Sequence, residues 1–100
     1  MTEELLKKGI NRCINEDYKS AIKIFNRILK KDNTNVDAFI YRGLSYLDLK
    51  KYTKAIEDFT YALQIDSHNV DAYRNRALAY YSLKNEELAI RDYKMSIEYV

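Results

Sequence analysis

Apolar positions along this chain fall at helical spacing, and their pattern returns after 34 residues. Phe39, Gly43 and Tyr46 lie at i, i+4 and i+7, and Ala55, Phe59 and Ala62 repeat that spacing. Such spacing puts each set on one face of an α-helix. Between the two sets, Leu49-Lys50-Lys51-Tyr52 leaves room only for a turn joining antiparallel helices. Extended along the chain, the pattern predicts six helices at about 2–15, 18–31, 36–49, 52–65, 70–83 and 86–99.

The 34-residue shift is visible in the letters themselves. Asn35-Val36-Asp37-Ala38 returns as Asn69-Val70-Asp71-Ala72, and Arg42, Tyr46, Ala55, Ile56 and Asp58 return as Arg76, Tyr80, Ala89, Ile90 and Asp92. A weaker copy lies upstream at Gly9, Tyr18, Ala21, Ile22 and Phe25. Asn35, Asn69 and Asn85 are natural N-caps, their side chains able to accept from free amides of the first turn. Gly9, Gly43 and Ala77 fall at one position of the first helix of each pair, and Ala21, Ala55 and Ala89 at one position of the second. Small residues set against bulky Leu5, Phe39 and Tyr73, and against Phe25, Phe59 and Tyr93, let paired helices interlock closely.

Composition narrows the functional classes. The net charge of +2, with both signs interspersed, implies neither nucleic acid nor an anionic membrane as partner. Residues 2–35 carry eight Lys/Arg against five Asp/Glu, and this modest excess reads as a solvated outer face. One cysteine cannot form an internal disulfide, no apolar run is long enough to span a bilayer, and no secretory signal opens the chain, so the cytoplasm is the expected compartment.

With these residues in place, the chain resembles the tetratricopeptide repeat, whose units put aromatic, small and alanine positions at fixed offsets within 34 residues. The resemblance spans residues 2–35, 36–69 and 70–100 as three units, the third expected to lack a capping helix. Departures are Arg12 and Glu86 where aromatics are usual, Ile28 and Ser96 at the last small position, and no proline at either inter-repeat turn. The resemblance implies an all-α solenoid, a right-handed superhelix of helix pairs, serving as a non-catalytic protein-interaction scaffold without a cofactor.

In this family the first helices line a concave groove. Helical angle independently separates a second face on each first helix, about half a turn from the core face. On that face Leu6, Ile10, Ile40, Tyr41, Leu44, Leu47, Arg74, Asn75, Leu78 and Tyr81 form the candidate groove. An exposed apolar stripe of this kind marks an interaction site; the opposing reading is that superhelical curvature buries much of it. The expected ligand is an extended or helical peptide with apolar anchors. Some tetratricopeptide proteins hold the C-terminal carboxylate of heat-shock chaperones with a Lys/Asn/Arg clamp. The matching positions here are Leu6, Ile10, Tyr41, Asp71 and Asn75, so a chaperone tail is not the expected ligand.

Two rival readings stand beside the groove. Apolar pairs on the second helices, Ile22 with Leu29 and Ile56 with Leu63, should pack on the following unit, whereas Ile90 and Ile97, beside Tyr93, have no following unit in this sequence. The chain is then either part of a longer array or self-associates, most simply as a homodimer through its last helix. RNA binding, as in helical repeats of similar period, ranks third because the groove is apolar with scattered acids. Catalytic chemistry finds no support: Cys13 reads as a small half-buried hydrophobe, His68 has no Cys/His partners for a metal, and Glu57-Asp58 and Glu86-Glu87 read as outer surface and cap.

Overall fold

A computed structural model describes residues 1–100. Six helices of 13 or 14 residues run in order: α1 (Thr2–Ile14), α2 (Tyr18–Lys31), α3 (Val36–Asp48), α4 (Tyr52–Ile65), α5 (Val70–Ser82) and α6 (Glu86–Glu98). Each lies within a residue of its expected bounds. The three asparagine caps form as expected: the Asn35 and Asn69 side chains accept from the Ala38 and Ala72 amides at 2.9 Å, and Asn85 from Leu88 at 3.3 Å.

The turns within each pair hold a feature that the residue types conceal. Glu16, Lys50 and Lys84 adopt left-handed backbone, with φ of 61°, 61° and 63°. The Lys51 amide donates to the Tyr46 carbonyl at 2.8 Å and the Lys50 amide to Leu47 at 2.9 Å. Asp17 and Glu16, and Asn85 and Lys84, bond in the same way. This arrangement usually places glycine at the left-handed residue, because a Cβ there crowds the carbonyl. Here it is closed three times without one.

Helices pack in antiparallel pairs, α1 on α2, α3 on α4 and α5 on α6, and each pair then docks on the next through α2–α3 and α4–α5. The first helices touch one another, α1 to α3 and α3 to α5, while α2, α4 and α6 do not. That asymmetry places α1, α3 and α5 on the inner, concave side and the second helices on the outer, convex side.

Close pairing depends on the two glycines. A Cβ built on Gly43 would lie 2.7 Å from Phe59 Cε1, and one on Gly9 would lie 2.4 Å from Phe25 Cε1. The third unit carries Ala77 at this position and Tyr93 opposite, and that tyrosine sits partly in solvent. Phe25 and Phe59 are fully buried among Ala21, Ile28 and Ala38, and among Ala55, Ala62 and Ala72. Glycine is therefore required where a buried phenylalanine ring presses on the neighbouring backbone.

Candidate functional site

The concave face gathers half of the expected groove residues around one cavity. Ile40, Tyr41 and Leu44 of α3 and Arg74 and Asn75 of α5 line a hollow of about 230 Å³, together with Asp37, Asn69 and Asp71. Helical spacing explains the convergence: 37, 40, 41 and 44 share one stripe of α3, and the neighbouring α5 presents 71, 74 and 75 toward it. Leu6 and Ile10 of α1, Leu47 of α3, and Leu78 and Tyr81 of α5 lie outside that hollow.

Curvature buries part of the stripe, as the opposing reading foresaw. Ile40 is buried, Leu44 and Leu47 pack against the α3–α4 core, and Leu6 and Tyr41 pack against the α1–α2 core. The Tyr41 ring stacks on Phe25 with centroids 6.2 Å apart, which ties it to the fold. Leu78 and Tyr81 differ: they are 43% and 60% exposed, so among the expected groove residues the free apolar surface sits on α5. The polar residues are committed locally. Arg74 pairs with Asp71, and the Asn75 amide donates to the Asp71 carbonyl one turn back at 2.9 Å. Asp37 has no cationic partner within ion-pair distance, so the rim of the hollow is acidic.

Cys13, also on this side, is half-buried, and its sulfur lies 3.2 Å from the Ser45 hydroxyl. Burial, the largest influence, raises its thiol above the ordinary value, which disfavours the thiolate that nucleophilic chemistry needs.

The Glu57-Asp58 pair corrects one expectation. Glu57 faces solvent as expected, but Asp58 is buried, and so is Asp92 one period later. Arg42 Nε and Nη2 donate to the two Asp58 oxygens at 2.9 and 2.6 Å, and Arg76 grips Asp92 in the same fork at 2.7 and 2.8 Å. The remaining nitrogen of each guanidinium reaches back to the preceding pair, Arg42 Nη1 to Asn26 at 2.8 Å and Arg76 Nη1 to Thr60 at 3.1 Å. Burial pushes the Asp58 carboxyl above its ordinary range, opposed by the hydrogen bonds from Arg42. Each arginine thus ties three helices together. A usable signal was present in the letters: Arg and Asp recur together, 16 residues apart, in both units. The first unit lacks the device, with Lys8 and Ile24 at those positions.

On the last helix, Ile90 and Ile97 are 54% and 74% exposed, whereas their counterparts Ile22, Leu29, Ile56 and Leu63 are buried or half-buried. No helix is long and apolar enough to cross a membrane, and no cluster of three or more His, Cys, Asp or Glu is placed to hold a metal ion.

Residues 43–84 match the family model described as TPR repeat. The first TPR domain of human RPAP3 superposes with a TM-score of 0.95 at 27% identity, over 99% of this chain and 78% of that one. The first TPR of Spaghetti (RPAP3), bound to the HSP90 peptide SRMEEVD, gives 0.95 at 26% identity over 98% and 78%. The second TPR of Spaghetti, bound to the same peptide, gives 0.95 at 23% identity over 99% and 92%. No curated protein sequence matches significantly. The family model thus finds tetratricopeptide-repeat sequence at residues 43–84, and solved domains of that architecture match the chain from end to end in fold.

Proposed function

We propose that the chain is a non-catalytic scaffold that binds an extended or helical peptide along the concave face of α1, α3 and α5. The observation carrying this reading is the hollow between α3 and α5. Its apolar part, Ile40, Tyr41 and Leu44, is rimmed by Asp37 and Asp71, and exposed Leu78 and Tyr81 lie further along α5. Apolar side chains of the ligand would seat on Leu44, Leu78 and Tyr81, and basic side chains would meet Asp37 and Asp71.

The acidic rim sets this groove apart from a receptor for an acidic tail. The Spaghetti domains are seen with SRMEEVD. In this chain Leu6, Ile10, Tyr41, Asp71 and Asn75 stand where a carboxylate clamp would need Lys, Asn and Arg. Unpaired Asp37 would repel such a peptide, and Arg74, the one cation lining the hollow, is already held by Asp71, so the clamp's charge-assisted hydrogen bonds are not replaced. Capture of a partner from the source cell tests the groove: Tyr81→Ala with Leu78→Lys should weaken binding by about 2 kcal/mol or more, as loss of apolar anchors does. Both side chains are exposed, so folding should be unaffected. Undiminished capture would refute the groove.

A second reading rests on α6. The face that in α2 and α4 receives the following first helix lies in solvent at Ile90, Tyr93 and Ile97. Pairing of that face with a second copy, antiparallel about a two-fold axis, would cover it.

A further inference from the structure

The repeat provides an internal reference for what the fold requires. Residues that packing demands recur from unit to unit: the alanines, the paired aromatics and the Arg–Asp forks. Against that background the outer face of α2 is anomalous. Lys19, Lys23, Arg27, Lys30 and Lys31 are all exposed, and α2 holds no acidic residue. One period on, the same positions are Thr53, Glu57, Tyr61, Gln64 and Ile65; two periods on, they are Glu87, Arg91, Met95, Glu98 and Tyr99. Five cations in the first unit thus become a net single negative charge in each of the others. The fold does not need them.

Their placement is ordered. Lys19, Lys23, Arg27 and Lys30 follow one another at i, i+4, i+8 and i+11, directly opposite buried Ala21, Phe25 and Ile28, and form a straight ridge about 16 Å long. None of these five side chains joins an ion pair. Lys8 of the adjacent α1 adds another unpaired cation, since Ile24 stands where Asp58 and Asp92 neutralise the corresponding arginines.

Along one flank the ridge opens into the largest cavity of the molecule. It is a cleft of about 610 Å³ between α2 and α4, floored by α3. Leu29, Tyr46 and Tyr61 supply its apolar surface, and Lys30 and Lys54 its free cations, with Lys54 Nζ 5.5 Å from the Tyr46 ring centre. Arg42 and Asp58 in its wall neutralise each other. The equivalent position between α4 and α6 carries Gln64 and Leu88 in place of Lys30 and Lys54 and shows no such cavity.

We propose that this convex ridge and cleft form a second protein-docking site, separate from the concave groove, that takes an acidic segment bearing an apolar anchor. Carboxylates spaced along the segment would meet Lys19, Lys23, Arg27 and Lys30 while an aromatic or leucine side chain enters the cleft against Tyr46 and Tyr61. The shape favours a protein segment over a flat anionic membrane, which touches ridges and cannot fill a cleft. Glu57 in the cleft lining repels anions there. That suits a segment that puts an apolar anchor in the cleft and its carboxylates on the ridge, and disfavours a nucleic-acid strand with a phosphate at every step. The two faces then select opposite charge: the acidic concave rim a basic ligand, the basic convex ridge an acidic one.

The test titrates the ¹⁵N-labelled chain with a glutamate-rich peptide carrying one central tryptophan, and follows affinity by fluorescence anisotropy of the labelled peptide. Amide shifts should concentrate on α2 and on the cleft-facing side of α4, and raising salt from about 50 to 300 mM should weaken binding about tenfold. Lys23→Glu/Arg27→Glu/Lys30→Glu should weaken it at least tenfold while its amide spectrum stays folded, and Arg74→Glu on the concave face should leave it unchanged. Serine in place of the tryptophan should weaken it several-fold. Shifts confined to the concave face, or none along α2 at low salt, would overturn the proposal. So would tighter binding of an oligouridylate, which would assign the ridge to nucleic acid, or of phosphatidylserine vesicles, which would assign it to an anionic membrane.

Discussion

Replacing Asp58 by alanine tests whether the Arg–Asp forks join the repeats. In the folded chain two donors of Arg42 end on Asp58, and the third ends on Asn26 of the preceding pair. Removing one partner of a fully buried ion pair costs about 3–5 kcal/mol, because an uncompensated charge stays behind. Arg42 retains 19% side-chain exposure and its bond to Asn26, so water can reach part of the guanidinium. The expected loss is therefore smaller, about 2–3 kcal/mol. For a domain of this size that lowers the thermal midpoint by roughly 8–24 °C. Glu57→Ala, next in sequence but facing solvent, should change stability by less than about 0.5 kcal/mol. Arg42→Met/Asp58→Leu should recover most of the loss, since two apolar groups leave no stranded charge. Urea unfolding of the four proteins gives the complete comparison. An Asp58→Ala cost no larger than that of Glu57→Ala would show the fork to be ornamental.

Gly43→Ala sets two effects of opposite sign against each other. Helix propensity favours alanine by about 1 kcal/mol, but the new methyl would lie 2.7 Å from the buried Phe59 ring, and overpacking costs about 1–3 kcal/mol. Net destabilisation in thermal melts is expected, and a raised midpoint would contradict the packing argument. Lys50→Gly and Lys84→Gly should each stabilise the chain by about 0.5–1 kcal/mol by relieving left-handed backbone, despite the extra unfolded-state entropy; a lowered midpoint would refute this. Light scattering at high protein concentration should show association that Ile90→Lys/Ile97→Lys abolishes, and a strict monomer throughout would remove the α6 pairing.

Helix positions and caps were readable because the information is local. Apolar spacing fixes which face is buried, and Asn35, Asn69 and Asn85 mark their helix starts by side-chain chemistry alone. Left-handed turns at Glu16, Lys50 and Lys84 were not readable, since glutamate and lysine carry no preference for that backbone and only the docked helices impose it. Asp58 was misplaced for a related reason. A carboxylate beside Glu57 resembles surface until its partner is identified, and that partner lies 16 residues away on another helix. The groove was half readable: helical angle placed Ile40, Tyr41, Leu44, Arg74 and Asn75 on one face, but how far curvature covers Ile40 and Leu44 depends on the angle between successive pairs. Charge on α2 was visible in the letters as a modest excess. Its meaning required knowing that all five cations are exposed and that the row of four ends at Lys30 in the lining of a cleft.

The central claim is that the concave face receives a peptide. Photo-crosslinking in the source cell tests it most directly, with p-benzoylphenylalanine placed in turn at Leu78, at Tyr81 and, as the convex reference, at Thr53. The account predicts adducts from Leu78 and Tyr81 to one partner segment that is apolar with basic flanks. Those adducts should be lost when Asp37 and Asp71 are changed to lysine and absent from Thr53. Adducts from Thr53 alone, or concave adducts to an acidic tail that persist in the lysine variant, would contradict it.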